Sequence, residues 1–188
     1  MGDWAQTLVD VEVDDASAPE LGRRLAAWLI ERRIVAPTKR DCVLGAESGY
    51  PPGEKYGLAV GNETIESPGL GTNGVEIDVR RQVYWGSDLE AVVCPRCGFR
   101  EAMTPREQSR WDTAFDDAIN EWCGGGAGLV SCLGCGADIG LNDWDWGYPW
   151  AFGALGVTFW NWDILADDFV AEVAELLGHR LVRSSYKL

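Results

Sequence analysis

Along Thr7 to Val13, Val9, Val11 and Val13 share one parity with Leu8 opposed, which predicts a strand. Ser17 and Glu20 then form an S-x-x-E capping box, and Leu21, Leu25, Trp28 and Leu29 recur at helical spacing to about Arg33. Strand followed by helix is thus the opening unit. From Pro37 to Gly74 the chain is rich in Gly, Pro, Ser and Asn, so only short strands fit between its turns. Val75, Ile77, Val79, Val83 and Trp85 share a parity against polar neighbours, with Arg81 the exception, and predict one amphipathic strand. Leu89 to Val93 predicts another. Thr104 and Glu107 form a second capping box with Pro105 at the first helical position, and Trp111, Phe115, Ala118, Ile119 and Trp122 carry that helix to Cys123, before the stop at Gly124. Gly153 to Trp162 predicts a strand, Asp163 to Leu177 a helix stopped by Gly178, and Leu181 to Tyr186 a closing strand.

This order of elements predicts an α+β fold, a mostly antiparallel sheet with flanking helices, built as a single domain over residues 1–188. At 46% hydrophobic and 24% charged residues the chain has the means to bury a core, which excludes disordered and fibrous classes. Asp3, Asp10 and Glu12 stand where a signal peptide would be basic and apolar, and no run of 18 apolar residues occurs. A cytoplasmic location, with no membrane contact, is the expectation.

Six cysteines change the picture through their spacing. Cys94-Pro95-Arg96-Cys97-Gly98 and Cys132-Leu133-Gly134-Cys135-Gly136 are two C-x-x-C-G turns, each approached by an apolar strand. Such a turn converges two sulfurs on one ion, and the Gly tolerates the positive φ that aims backbone N–H groups at them. Both turns resemble the paired knuckles of zinc-ribbon domains over about residues 92–139. The resemblance implies a structural, four-cysteine zinc site at Cys94, Cys97, Cys132 and Cys135. The spacer differs from a short ribbon in holding a whole helix. A redox motif would place its C-x-x-C at a helix start, whereas here the helix begins several residues later. Cys42 and Cys123 have no such partner and are expected to be buried thiols.

Catalytic chemistry is sparse. His179, the sole histidine, follows a helix stop, where a structural role is expected. No G-x-x-x-x-G-K-[ST] loop is present, and pairs such as Asp143 with Asp145 arise by chance among thirty acidic residues. A non-enzymatic role is the expectation.

Net charge is −14, and its distribution is uneven: residues 111–178 contain 12 acidic and no basic side chains. Such a stretch creates a negative field suited to a basic protein partner, and it argues against nucleic acid. Within it, Asn142 to Trp150 alternates aspartate with tryptophan. Exposed, Asp143, Trp144, Asp145, Trp146 and Trp150 would dock a cationic partner beside an aromatic platform; tryptophan serves cores equally. In general character the chain resembles small acidic bacterial immunity and antitoxin proteins, which implies occlusion of a basic toxin. Two rivals are a nucleic-acid or transcription accessory module using Arg96, Arg100, Arg106 and Arg110, and a carbohydrate-handling protein using the Trp-rich segment.

Overall fold

The computed structural model describes residues 2–85, 91–102 and 110–188. The elements along them are β1 (Trp4–Asp10), α1 (Ala18–Glu31), β2 (Gly74–Asp78), β3 (Gln82–Tyr84), β4 (Ala91–Val93), β5 (Arg100–Ala102), α2 (Arg110–Cys123), β6 (Leu129–Ser131), β7 (Asp138–Gly140), β8 (Ala151–Gly153), β9 (Leu155–Trp160), α3 (Asp167–Leu177) and β10 (Leu181–Lys187). The α+β class predicted from the patterning is the class observed.

The main sheet has the order β10-β1-β9-β2, and every pairing in it is antiparallel. α1 links β1 to β2 across β9, and α3 links β9 to β10 across β1. This interleaving is the split β-α-β arrangement. Everything from β3 to β8 is inserted between β2 and β9, which are themselves paired neighbours, Asp78 lying opposite Gly156.

Alternation along the strands divides the sheet. Leu8, Val75, Leu155, Val157 and Phe159 face the helices and join Leu25, Leu29, Phe169 and Val173 in the larger core. Burying a side chain of this size contributes about 2 kcal/mol, so this cluster dominates the stability of the domain. On the same face Gln6 is buried, and it is fully used: its amide donates to the Asp163 carbonyl at 2.9 Å and accepts from the Leu165 N–H at 3.1 Å. That clasp holds 163–166 extended. α3 therefore starts at Asp167 instead of the expected Asp163.

Two other expectations are corrected, and two more fall on residues outside the description. The single strand over Val75–Trp85 is two, because the backbone breaks at Val79–Arg81 and β3 pairs with β8 instead of joining the main sheet. Across the break the parity inverts, so Tyr84 is buried and Trp85 is exposed. Ser17 makes no side-chain cap on α1; Asp14 receives the Ser17 N–H at 2.7 Å, and this lowers the Asp14 pKa. The expected strand at Leu89 is described only from Ala91, and the capping box at Thr104–Glu107 lies outside the described residues.

Candidate metal centre

Two hairpins of the same design form the centre. In the first, β4 pairs with β5, Cys94 N–H donates to the Phe99 carbonyl at 2.9 Å and Gly98 N–H to the Cys94 carbonyl at 3.0 Å. In the second, β6 pairs with β7, Cys132 N–H donates to Ala137 at 2.9 Å and Gly136 N–H to Cys132 at 2.7 Å. Gly98 and Gly136 sit at φ 71° and 72°, in the left-handed region that the C-x-x-C-G pattern anticipates. The hairpins interlock, since a side chain at Gly134 would run into the Phe99 ring.

The four sulfurs lie within 4.8 Å of one another. Cys94 and Cys135 are 4.0 Å apart, and Cys97 and Cys132 are 3.6 Å apart. Sulfurs at tetrahedral positions about 2.3 Å from one ion are about 3.8 Å apart, so the set fits a single tetrahedral metal. All six cysteines are free thiols. Cys94 and Cys132 are buried, whereas Cys97 and Cys135 face outward.

The surroundings favour one thiolate and oppose a second. Burial raises the Cys94 thiol, but the N–H groups of Cys97 and Arg96 and the thiols of Cys132 and Cys97 outweigh it, and the group is held at about 7. At Cys97 the Phe99 N–H lowers the pKa, while burial and the other three thiols raise it, to about 12. One negative charge is thus welcomed and the next opposed, which is the condition a divalent cation relieves.

Behind the sulfurs is a second core of Val92, Phe115, Ala118, Val130, Ile139, Leu141, Trp144, Trp146 and Phe152. α2 contributes Phe115 and Ala118 to it while Asp116, Asp117 and Glu121 stay exposed, the amphipathic division expected of this helix.

The tryptophans correct the expected aromatic platform. Trp144 and Trp146 are only 4% and 5% exposed. Their indole N–H groups donate to the Ile139 and Leu141 carbonyls at 3.3 and 2.8 Å, and both rings pack edge-on against Phe115. Trp150 is half-buried and stacks on Trp146 at 5.2 Å. A 3-10 turn spans Leu141–Asp143 and the backbone is extended from Trp144, so Trp144 and Trp146 turn inward with Asp145 outward between them, and the chain then turns at Gly147, φ 70°, leaving Tyr148 exposed. Asp145 is anchored through paired backbone hydrogen bonds with Val93, next to the first knuckle.

The remaining candidates divide similarly. Cys42 is buried and donates to the Gly49 carbonyl at 3.3 Å, but Cys123 is exposed, contrary to expectation. Arg96 and Arg100 are exposed at the first knuckle, while Arg106 and the side chain of Arg110 lie outside the description. His179 Nδ1 lies 2.8 Å from the buried Asp10 carboxylate, whose other oxygen accepts the Glu12 and Val13 N–H groups. That is a structural contact. Sequence reasoning missed a polar row on the main sheet, formed by Thr7, Glu76, Thr158 and Ser184; polar residues at regular parity inside apolar strands were its available signal.

No family model, curated protein or solved structure matches the chain. Among the described residues no helix is long and apolar enough to cross a membrane.

Proposed function

We propose that the chain is a non-enzymatic, zinc-stabilised binding module that engages a basic protein through acidic groups on and beside its metal lobe, in the manner of an immunity protein occluding a toxin. The metal is zinc, held by Cys94, Cys97, Cys132 and Cys135. Four thiolates close its coordination, leave no position for water, and make its role structural. The observation that carries the reading is charge without compensation. In residues 111–178, Asp143, Asp167 and Glu172 find partners in Arg180, Arg183 and Arg32. Asp116, Asp117, Asp138, Asp145, Asp168 and Glu175 are exposed and have no ion pair to a described residue. Uncompensated carboxylates accelerate encounter with a cationic partner and lose that effect as salt rises. Tyr148, 59% exposed between the two aspartates and Trp150, replaces the indoles as the aromatic anchor.

The test is capture of partners from native lysate at two salt concentrations, with the D143N/D145N variant alongside. The expected partner has a high pI, and its recovery falls with salt and in the variant. Recovery of acidic proteins only, of nucleic acid, or of a partner indifferent to both changes overturns the proposal.

A further inference from the structure

The face of the main sheet turned away from the helices is covered at its two ends and open between them. At one end Ala5, Trp160 and Tyr186 pack with Cys42 and Val43 from the long loop. At the other, Val9, Val11 and Val182 pack with Tyr84 and Ala151. Between these clusters the register places Ser184 opposite Thr7, Thr7 opposite Thr158, and Thr158 opposite Glu76, one straight row across all four strands. A cavity of about 370 Å³ lies over it. At roughly 30 Å³ per water, that is room for about a dozen waters or a ligand of similar atom count.

Not all of this row is satisfied internally. Thr7 and Thr158 hydroxyls bond each other at 2.9 Å. Ser184 and Tyr84 both line the cavity and are 1% and 8% exposed, and their hydroxyls have no hydrogen-bond partner among the described residues. Orphaned hydroxyls at such depth are costly unless a bound group meets them. Beside them the half-buried Glu76 accepts the Trp160 indole N–H at 3.1 Å and forms no ion pair with any described residue. Gly45 faces this carboxylate, and a side chain there would collide with both of its oxygens. Two cationic side chains also line the cavity, Arg80, engaged by Asp78 at 2.9 Å and Gln82 at 3.0 Å, and the exposed Lys187, and neither forms an ion pair with Glu76.

We infer that this cavity is a binding site for a small organic primary ammonium, with the Glu76 carboxylate as counter-ion, the Ser184 and Tyr84 hydroxyls as further acceptors, and Trp160 and Tyr186 as aromatic walls. A partly desolvated carboxylate calls for a cation, and an ammonium has three donors to distribute over such acceptors. Burial raises the Tyr84 pKa, with Asp78 and Glu76 adding to it and Arg80 opposing them, and burial followed by Glu76 raises that of Tyr186. A sugar would satisfy the hydroxyls but leave Glu76 uncompensated. The inference is independent of the acidic metal-lobe surface, since no residue is shared.

The test is titration of the full, metal-loaded chain with ethanolamine and 1,4-diaminobutane as ammonium probes, and with 1,4-butanediol and glucose as neutral ones. Heat of binding and the Trp160 indole N–H resonance are the readouts. Saturable binding of the ammonium probes is expected, with movement of that resonance, at least a tenfold loss in E76Q, and a several-fold loss in S184A. S184A removes a hydroxyl that has no partner, so it folds as well as the parent and keeps the test valid if E76Q is unstable. Absence of saturation by both amines at about 10 mM, where even a binding energy near 4 kcal/mol would register, overturns the inference. So does equal binding of the diol or glucose, or amine affinity unchanged in both variants.

Discussion

Arg81 lies over the Trp122 ring, its guanidinium carbon 4.9 Å from the centroid. From there it donates to the Trp122 and Gly126 carbonyls at 2.8 and 3.3 Å, and its Nε reaches the Asp15 carboxylate at 2.8 Å. α2 carries no basic residue in its last turn, so this side chain from a distant segment neutralises the carbonyl end of the helix. It also ties the metal lobe to the approach to α1. The residue that breaks the alternation between Val75 and Trp85 thus helps to join the two lobes.

R81A should therefore destabilise the chain by about 2 kcal/mol, because charged hydrogen bonds and a stacked face are lost together. R81K keeps the charge but not the planar fork, and should lose more than half of that contribution. At this chain length each kcal/mol moves the thermal midpoint by roughly 2–4 °C, so calorimetry resolves the series.

Chelation of the metal should melt the lobe and spare the main sheet, because the two cores share no side chain among their buried members. Amide exchange at Val92, Val130 and Ile139 should accelerate while Val9 and Val157 remain protected. Trp144 and Trp146 would reach water, so fluorescence should shift to the red. Uniform loss of protection across both groups would contradict this division.

Metal retention should fall with acid. Binding requires thiolates, Cys94 is held at about 7 and Cys97 at about 12, and each proton bound to a thiol competes with the metal. Stabilisation by metal is thus present at neutral and higher pH and is lost as pH drops below about 7. Competition with a chromophoric chelator across pH 5–8 reads this directly, and a flat profile would refute it.

H179A should cost about 1–3 kcal/mol in a urea titration, since Asp10 is buried and would lose one of its partners. His179 is far from the sulfurs in the chain's topology, so metal content should not change.

The legible parts of the sequence were those in which one residue's environment is decided locally. The two C-x-x-C-G turns announce their own left-handed glycines and sulfur convergence, and α2 shows its buried face in its spacing. The segment Asn142 to Trp150 misled because alternating Asp and Trp has the same pattern whichever face meets water; only the second core, assembled from β4, α2 and β6, decides that the indoles turn inward. The start of α3 is hidden from the sequence for a related reason, as Gln6, 157 residues away from Asp163, holds the preceding segment extended. The polar row on the sheet was invisible as a unit, since its four members come from four separate strands and meet only through register.

Asp78 leaves the sheet and Gly156 re-enters it side by side. The entire four-cysteine excursion is thus suspended from one doorway between adjacent strands, which a short reverse turn would suffice to close. Such an attachment lets the appendage be exchanged, enlarged or lost without re-threading the parent architecture, and during folding a chelated ion would gather the excursion into a compact bead, shortening the effective loop that the partners on either side of the doorway must close.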